Sequence, residues 1–316
     1  MILIAPDKYR GTMSSIEATR IIADNIHSPS ISLPMADGGE GTAHCIANAV
    51  GWEYVAKGCY FNPITRQMAL DSSSIIGYGC FPDSMSPLDR SSAALGFSLN
   101  DIVSRFNPRE IYLGVGGTAT CDAGRGMLDA LNPNIPWNSL IIGLIDVQAP
   151  LLPTYAGQLS ALSFCPQKGF SVSDIEIIKE TFARVIKRYG APKSLFDGAG
   201  GGIGYALASV IGARCFLGAQ WMLDRAVIPW NDITMIITGE GCYDRLSALG
   251  KAVYTLGRTA ASHNIPCVCI AGKVDKYATS EFGMRLVDTS LYMPDCPLSP
   301  AVARQRLALA TRGLAV

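Results

Sequence analysis

The sequence predicts an α/β protein of two domains: a Rossmann-like doubly wound sheet with a smaller α/β domain inserted into it. Three observations carry that expectation. Short apolar runs at residues 2–5, 31–33, 235–237 and 265–270 alternate with stretches of helix length, the rhythm of parallel βα units. After Gly51 this rhythm gives way to short strands around turns such as Asn62-Pro63, and it returns near residue 200. A length of 316 residues is also long for one core. The boundaries that follow are 1–55 with 198–316 for the discontinuous Rossmann-like domain and 56–197 for the insert.

Composition narrows the function classes. With 49% hydrophobic and 16% charged residues and 32 glycines, the chain has the make-up of a compact enzyme. Lys+Arg and Asp+Glu both count 26, so no basic face is implied for nucleic acid. The apolar start runs straight into Pro6-Asp7, too short for a signal peptide, and no run approaches the roughly 20 apolar residues of a membrane span. A cytoplasmic protein with a small-molecule substrate and no membrane partner is expected, with room for a homo-oligomer. Cys267 and Cys269 form a close pair with no second pair to complete a zinc site, so the ten cysteines are expected as free, buried thiols.

Taken in order, the first strand ends in a loop holding Lys8 and Arg10, ahead of a helix at 16–25 that Ser14 or Ser15 can cap. The two cations face either solvent or a phosphate at the carboxyl end of the sheet. The strand at 31–33 leads into Met35-Ala36-Asp37-Gly38-Gly39-Glu40-Gly41-Thr42 and a helix at 43–50. Either Asp37 caps that helix and Glu40 complements its dipole, or the two acids act on a cation or a proton beside an anion at the helix start. In the insert, strands are expected at 52–58, 61–70, 75–79 and 110–113, with part of a helix at 99–106. The last of these strands delivers a glycine-rich turn at 114–126. Gly114-x-Gly116-x-x-Ala119 matches the dinucleotide fingerprint in form, which would make the protein an NAD-type oxidoreductase. No clean helix or acid-ended strand follows it, whereas Gly116, Gly117, Thr118 and Thr120 offer amides and hydroxyls to a phosphate, with Asp122 close enough for magnesium.

Further on, a strand at 141–147 carries Asp146, and Lys168 sits in a turn before a helix reaching about residue 189. Asp197-Gly198-Ala199-Gly200-Gly201-Gly202 opens a helix to about residue 211; so many glycines mean either close packing or a ligand against the backbone. A P-loop is absent. The strand at 235–237 carries Glu240 and Asp244 at its end, Gly250-Lys251 opens a helix to about residue 263, and a strand at 265–270 follows. Acids at strand ends in glycine turns recur often enough that convergence on one cleft is the simpler account. His27, His44 and His263 are given no role.

Ala5-Pro6-Asp7, the 34–42 stretch, Gly116-Gly117-Thr118-Ala119-Thr120-Cys121-Asp122, Pro166-Gln167-Lys168-Gly169, Gly198-Ala199-Gly200 and Thr238-Gly239-Glu240-Gly241 with Asp244 and Gly250-Lys251-Ala252 resemble, in order, the motifs of the bacterial glycerate kinase family. The resemblance implies an ATP-dependent kinase that phosphorylates a hydroxyl of D-glycerate, or of a similar small hydroxy acid, to phosphoglycerate with Mg2+, in a cleft where two α/β domains face each other. It implies Asp37, Glu40 and Asp244 as catalytic groups, with Asp37 or Asp244 handling the substrate hydroxyl. Asp7, Arg10, Gly116, Gly117, Thr118, Lys168, Gly198, Gly200 and Lys251 would bind substrate or phosphate, and Asp122 and Glu240 would hold the metal. Arg10 stands where the family has lysine, Cys121 and Ala149 where it has asparagine, and Cys242 where it has arginine. These changes remove donors for carboxylate or phosphate, so a weak or silent nucleotide- or hydroxy-acid-binding homologue is the alternative.

Overall fold

The computed structural model describes residues 1–48, 51–244, 247 and 251–314. The chain forms two compact units, Met1–Asp37 with Ala219–Val316, and Gly38–Gly218. Both are α/β. The divisions fall earlier at the first crossing and later at the second than the expected 55 and 198, and the inserted unit is the larger one. Turn chemistry after Gly51 suggested the first boundary, yet the helix Thr42–Ala47 already packs on strands of the insert. Among the described residues no helix is long and apolar enough to cross a membrane.

The first unit is built on β1 (Ile2–Ile4), β2 (Ser30–Ser32), β9 (Met235–Tyr243), β10 (Cys267–Val274) and β11 (Arg285–Asp288). Their order is β11-β10-β9-β1-β2, and every pairing is parallel. Buried on both faces, β1 and the start of β9 are continuously apolar, as parallel strands between layers require. The helix Ser15–Asp24 joins β1 to β2, with the Ser14 hydroxyl accepting from Glu17 N at 3.2 Å, and its Ala18 and Ile22 pack with Leu307 of the helix Pro300–Arg312. No strand or helix is expected beyond 273 within the 198–316 segment; β11 and this last helix complete the layer. β9 runs six residues past the expected end, because its later part pairs with β10 up to Tyr243↔Val274 after β1 has ended.

The second unit carries β3 (Glu53–Ala56), β4 (Cys59–Asn62), β5 (Gln67–Asp71), β6 (Glu110–Gly114), β7 (Ile141–Ile145) and β8 (Arg214–Leu217) in that order across one sheet. The first two pairings are antiparallel and the rest parallel. The expected strand at 75–79 is instead a helical turn, Ser73–Ile76, followed by a 3-10 turn. The short β8 pairs with β7 at the sheet edge, with too little apolar alternation to be noticed in sequence.

Candidate functional site

In the first unit the carboxyl ends of β1, β2 and β9 are drawn into one register by hydrogen bonds that outlast the strands. Met35 N donates to Pro6 O at 3.0 Å, and Asp7 N donates to Gly239 O at 2.8 Å. Asp7, Asp37 and Glu240 are thereby carried on neighbouring segments, all three buried. Lys8 Nζ donates to Asp37 Oδ1 at 3.1 Å and lies 3.8 Å from Asp7 Oδ1. Lys251, at the start of the helix Ala252–Ser262, brings its ammonium to 4.0 Å from Glu240 Oε2.

This is an electrostatically loaded group. Burial, with the Asp37 charge adding to it, pushes Asp7 up to about 6 despite the Lys8 ammonium beside it. Burial likewise raises Glu240 to about 7, with Asp7 and Asp244 reinforcing the shift and Lys251 and Ser247 opposing it. Burial works against the Lys251 ammonium, but Glu240, Asp37, Asp244 and Asp7 outweigh it and hold its pKa above the ordinary value. The two partners of the long Lys251–Glu240 contact thus move in the same direction, Glu240 chiefly through burial and Lys251 through the surrounding carboxyls. Glu240 Oε1 is buried with no hydrogen-bond partner among the described residues. Perturbed carboxyls converging at strand ends mark a functional region of an α/β fold.

The remaining expected residues divide in instructive ways. Arg10 is exposed, and it is Lys8 from the same loop that reaches Asp37. Asp244 closes a local turn, its amide donating to Ser247 Oγ at 3.1 Å and its Oδ1 accepting from Ser247 N at 3.2 Å. Gly250 lies outside the described residues, as do the last two residues of the helix expected at 43–50. Glu40 is exposed and belongs to the second unit, so the 35–42 motif is shared between the units. Asp37 does not cap the helix Thr42–Ala47. Asp71, at the end of β5, does so, accepting from Gly41 N and Ala43 N at 2.8 Å each. An acid at a strand end followed by three serines was a legible signal for it.

In the second unit the glycine-rich turn after β6 is organised around Asp122 and Lys168. Asp122 Oδ2 accepts from Ser92 N, Ser92 Oγ and Gly126 N at 3.0, 2.8 and 3.1 Å, and its Oδ1 accepts from Gly124 N at 3.1 Å. That carboxylate closes the turn and starts the helix Arg125–Ala130. Lys168 is buried, not solvated, and donates to Thr118 Oγ1 at 3.2 Å and Thr120 O at 2.8 Å. Burial depresses its pKa, against the attraction of the Cys121, Cys165, Asp146 and Asp122 side chains. Thr120 Oγ1 is buried with no hydrogen-bond partner among the described residues.

The expected amide donors are mostly committed. Gly116 N donates to Gly38 O at 3.0 Å and Gly198 N to Ala149 O at 2.7 Å, so neither is held out for a phosphate. Gly117 is exposed with φ +80°, and of the glycines expected to meet a ligand it keeps that character. The run 198–202 exists for packing: a Cβ on Gly200 would fall 2.8 Å from Val115 O, and one on Gly201 would fall 2.0 Å from Thr120 O. Of the two readings of those glycines, backbone against backbone is the one observed. The dinucleotide reading of Gly114-x-Gly116-x-x-Ala119 lacks its helix, because Ala119 N donates to Ile76 O at 2.8 Å and helix begins only at Arg125.

One parallel and one mixed sheet, with helices around them, define an α/β protein of two units. A family model described as the glycerate kinase family matches residues 2–136 and 133–312, and the chain belongs to that family. It is 26% identical to glycerate kinase of Bacillus subtilis (strain 168), over 87% of this chain and 85% of the relative. Against glycerate 2-kinase of Escherichia coli (strain K12) it is 26% identical, over 86% and 85% of the two chains. A solved structure from Salmonella typhimurium LT2, provisionally described as glycerate kinase 2, shares the fold with a TM-score of 0.72 and 23% identity, covering 98% of this chain and 96% of that one.

Proposed function

We propose that the protein transfers a phosphoryl group from ATP to a hydroxyl of D-glycerate, or of a similarly small hydroxy acid, giving phosphoglycerate. The observation that carries the reading is the buried group of Asp7, Asp37 and Glu240 with Lys8 and Lys251, at the carboxyl ends of parallel strands in a member of the glycerate kinase family. Relatives named glycerate kinase support the acceptor.

In this reading Asp37 takes the proton from the attacking hydroxyl, and the Lys8 ammonium at 3.1 Å fixes the orientation of its carboxylate. Lys251 neutralises charge on the transferring phosphoryl group. Within the second unit, Lys168 with the Thr118 hydroxyl beside it offers an anion a buried cation and a hydroxyl.

Magnesium fits the acids of the first unit. Glu240 has a buried carboxylate oxygen without a hydrogen-bond partner among the described residues, and burial holds both Glu240 and Asp7 protonated to unusually high pH, with Asp37 adding to it at Asp7 and Asp7 and Asp244 adding to it at Glu240, a cost that a cation relieves. Among the described residues no three His, Cys, Asp or Glu side chains gather as a metal cage. Glu240 and Asp7 would hold the ion; Asp122, saturated by its own turn, would not. When bound, magnesium supplies positive charge against the phosphate oxygens.

The test is a coupled ADP-release assay with ATP and magnesium across small hydroxy acids, glycerate first. Turnover with glycerate supports the reading. ATP binding in a thermal-shift measurement with no ADP release from any acid would replace it with that of a silent binding homologue.

A further inference from the structure

Cys121 and Cys165, 44 residues apart in sequence, place their sulfur atoms 3.3 Å from each other. Both are buried in one apolar cluster with Leu151, Phe170, Phe182 and Tyr205. We propose that this pair is a site of reversible disulfide formation, driven by a small hydroperoxide, which cross-links the glycine-rich turn after β6 to the turn that carries Lys168.

The geometry supports closure. The sulfur atoms already touch, and reaching a bond of about 2.05 Å asks for a shift on the order of 1 Å. The two segments are already tied by Lys168, whose ammonium donates to Thr118 Oγ1 and Thr120 O while its amide donates to Cys165 O at 2.9 Å. A disulfide would therefore run alongside an existing contact and not force a new one. The roles of the two thiols are also distinguishable. The hydrogen bond shared with Cys121 lowers the pKa of Cys165 with help from the Lys168 ammonium, whereas that same hydrogen bond, followed by burial, raises Cys121. Cys165 is the nucleophile and Cys121 the resolving thiol.

The chemistry balances with hydrogen peroxide as oxidant. The Cys165 thiolate attacks one peroxide oxygen, the O–O bond breaks, and the departing hydroxide takes a proton to leave as water, giving a sulfenic acid. Cys121 then attacks that sulfur; the S–S bond forms, the S–O bond breaks, and the hydroxyl leaves with the Cys121 proton as a second water. Two thiols lose two electrons, and one peroxide gains them. Burial of both sulfurs favours so small an oxidant over a bulky disulfide.

The experiment treats the folded full chain with hydrogen peroxide, stops the reaction with catalase, alkylates under denaturing conditions and maps peptides by mass spectrometry. The expected product is a peptide pair joined through Cys121 and Cys165, lighter than the reduced pair by two hydrogens and lost on treatment with dithiothreitol. It should be absent from both Cys121→Ser and Cys165→Ser, and the folded Cys121→Ser protein should leave Cys165 trapped as a dimedone adduct. Exposed Cys80 and Cys242 serve as internal references for oxidant exposure. Their oxidation without the joined peptide in the wild-type protein would overturn the proposal, as would a joined peptide formed only after unfolding in urea. The wild-type result decides the matter even where a serine variant fails to fold.

Discussion

Replacing Glu240 with glutamine should make the unliganded protein more stable at pH 8 while destroying its proposed activity. The buried carboxyl titrates at about 7 in the fold against an ordinary 4.5, so the folded chain binds this proton more tightly than the unfolded chain. The stability contributed by the group is complete below 4.5 and is lost as pH rises through 7. Converted at about 1.4 kcal/mol per tenfold change in proton affinity, the loss is about 3 kcal/mol at most. The attraction of Lys251 is already contained in that titration point, so it needs no separate subtraction. A glutamine side chain is neutral throughout and escapes the loss, although its buried amide gives back roughly 1–2 kcal/mol where it finds no acceptor. Asp7, raised to about 6, costs both proteins some stability over a lower range, so the comparison isolates Glu240. The assay is urea unfolding of wild type and Glu240→Gln at closely spaced pH values from 5 to 8. The difference in unfolding free energy should grow in favour of the variant across that range. A difference that stays flat, or that moves toward the wild type, would refute the account of this carboxyl.

Three further variants have expected outcomes. Asp37→Asn should lower kcat by roughly 10²–10⁴ with an unchanged far-ultraviolet circular dichroism spectrum, since it removes the proposed base and leaves the backbone contacts alone; near-normal turnover would take Asp37 out of the mechanism. Asp122→Asn should cost about 2–4 kcal/mol in urea unfolding, because an amide nitrogen would then face donors that now find a carboxylate. The same variant, assayed where it remains folded, should need no more magnesium for half-maximal turnover than wild type; a large rise would restore Asp122 as a metal ligand. Gly201→Ala should yield insoluble protein or lose at least about 3 kcal/mol, because φ is +69° there and the new methyl would sit 2.0 Å from Thr120 O.

The fold was legible where the signal was apolar periodicity and turn chemistry. β1, β2, β7, the helix Ser15–Asp24 with its Ser14 cap, and the helix Asp174–Tyr189 lie within a few residues of their expected places. It was illegible where tertiary pairing overrode local chemistry. β9 continues through Gly239-Glu240-Gly241, a sequence with every mark of a turn, because β10 supplies a ladder for it as far as Tyr243. That pairing changes Glu240 from a loop acid to a strand acid and accounts for its burial. The run at 75–79 looked like a strand by composition, but Ile76 O and Gly77 are used to hold the Thr118 segment through local pairings that no period reveals.

The candidate site was only half visible for a related reason. Sequence marks an acid at a strand end, but not what satisfies it. Asp71 and Asp122 spend their oxygens largely on backbone amides, and buried Asp197 does the same with Lys193 N and Ser194 N. These carboxylates build turns, and filling their acceptor positions with N–H donors leaves them little capacity for a ligand. Asp37 meets the Lys8 ammonium, Glu240 meets the Lys251 ammonium and the Ser247 side chain, and Asp7 takes the backbone amide of Lys8 at 2.6 Å. A side chain whose partners are other mobile charges can exchange them for a substrate or a cation at modest cost, whereas one that accepts from three amides of a turn cannot be released without opening the turn. That difference is why we propose the chemistry for the acids of the first unit, while Asp122 shapes the turn that presents Thr118 and Thr120 to Lys168.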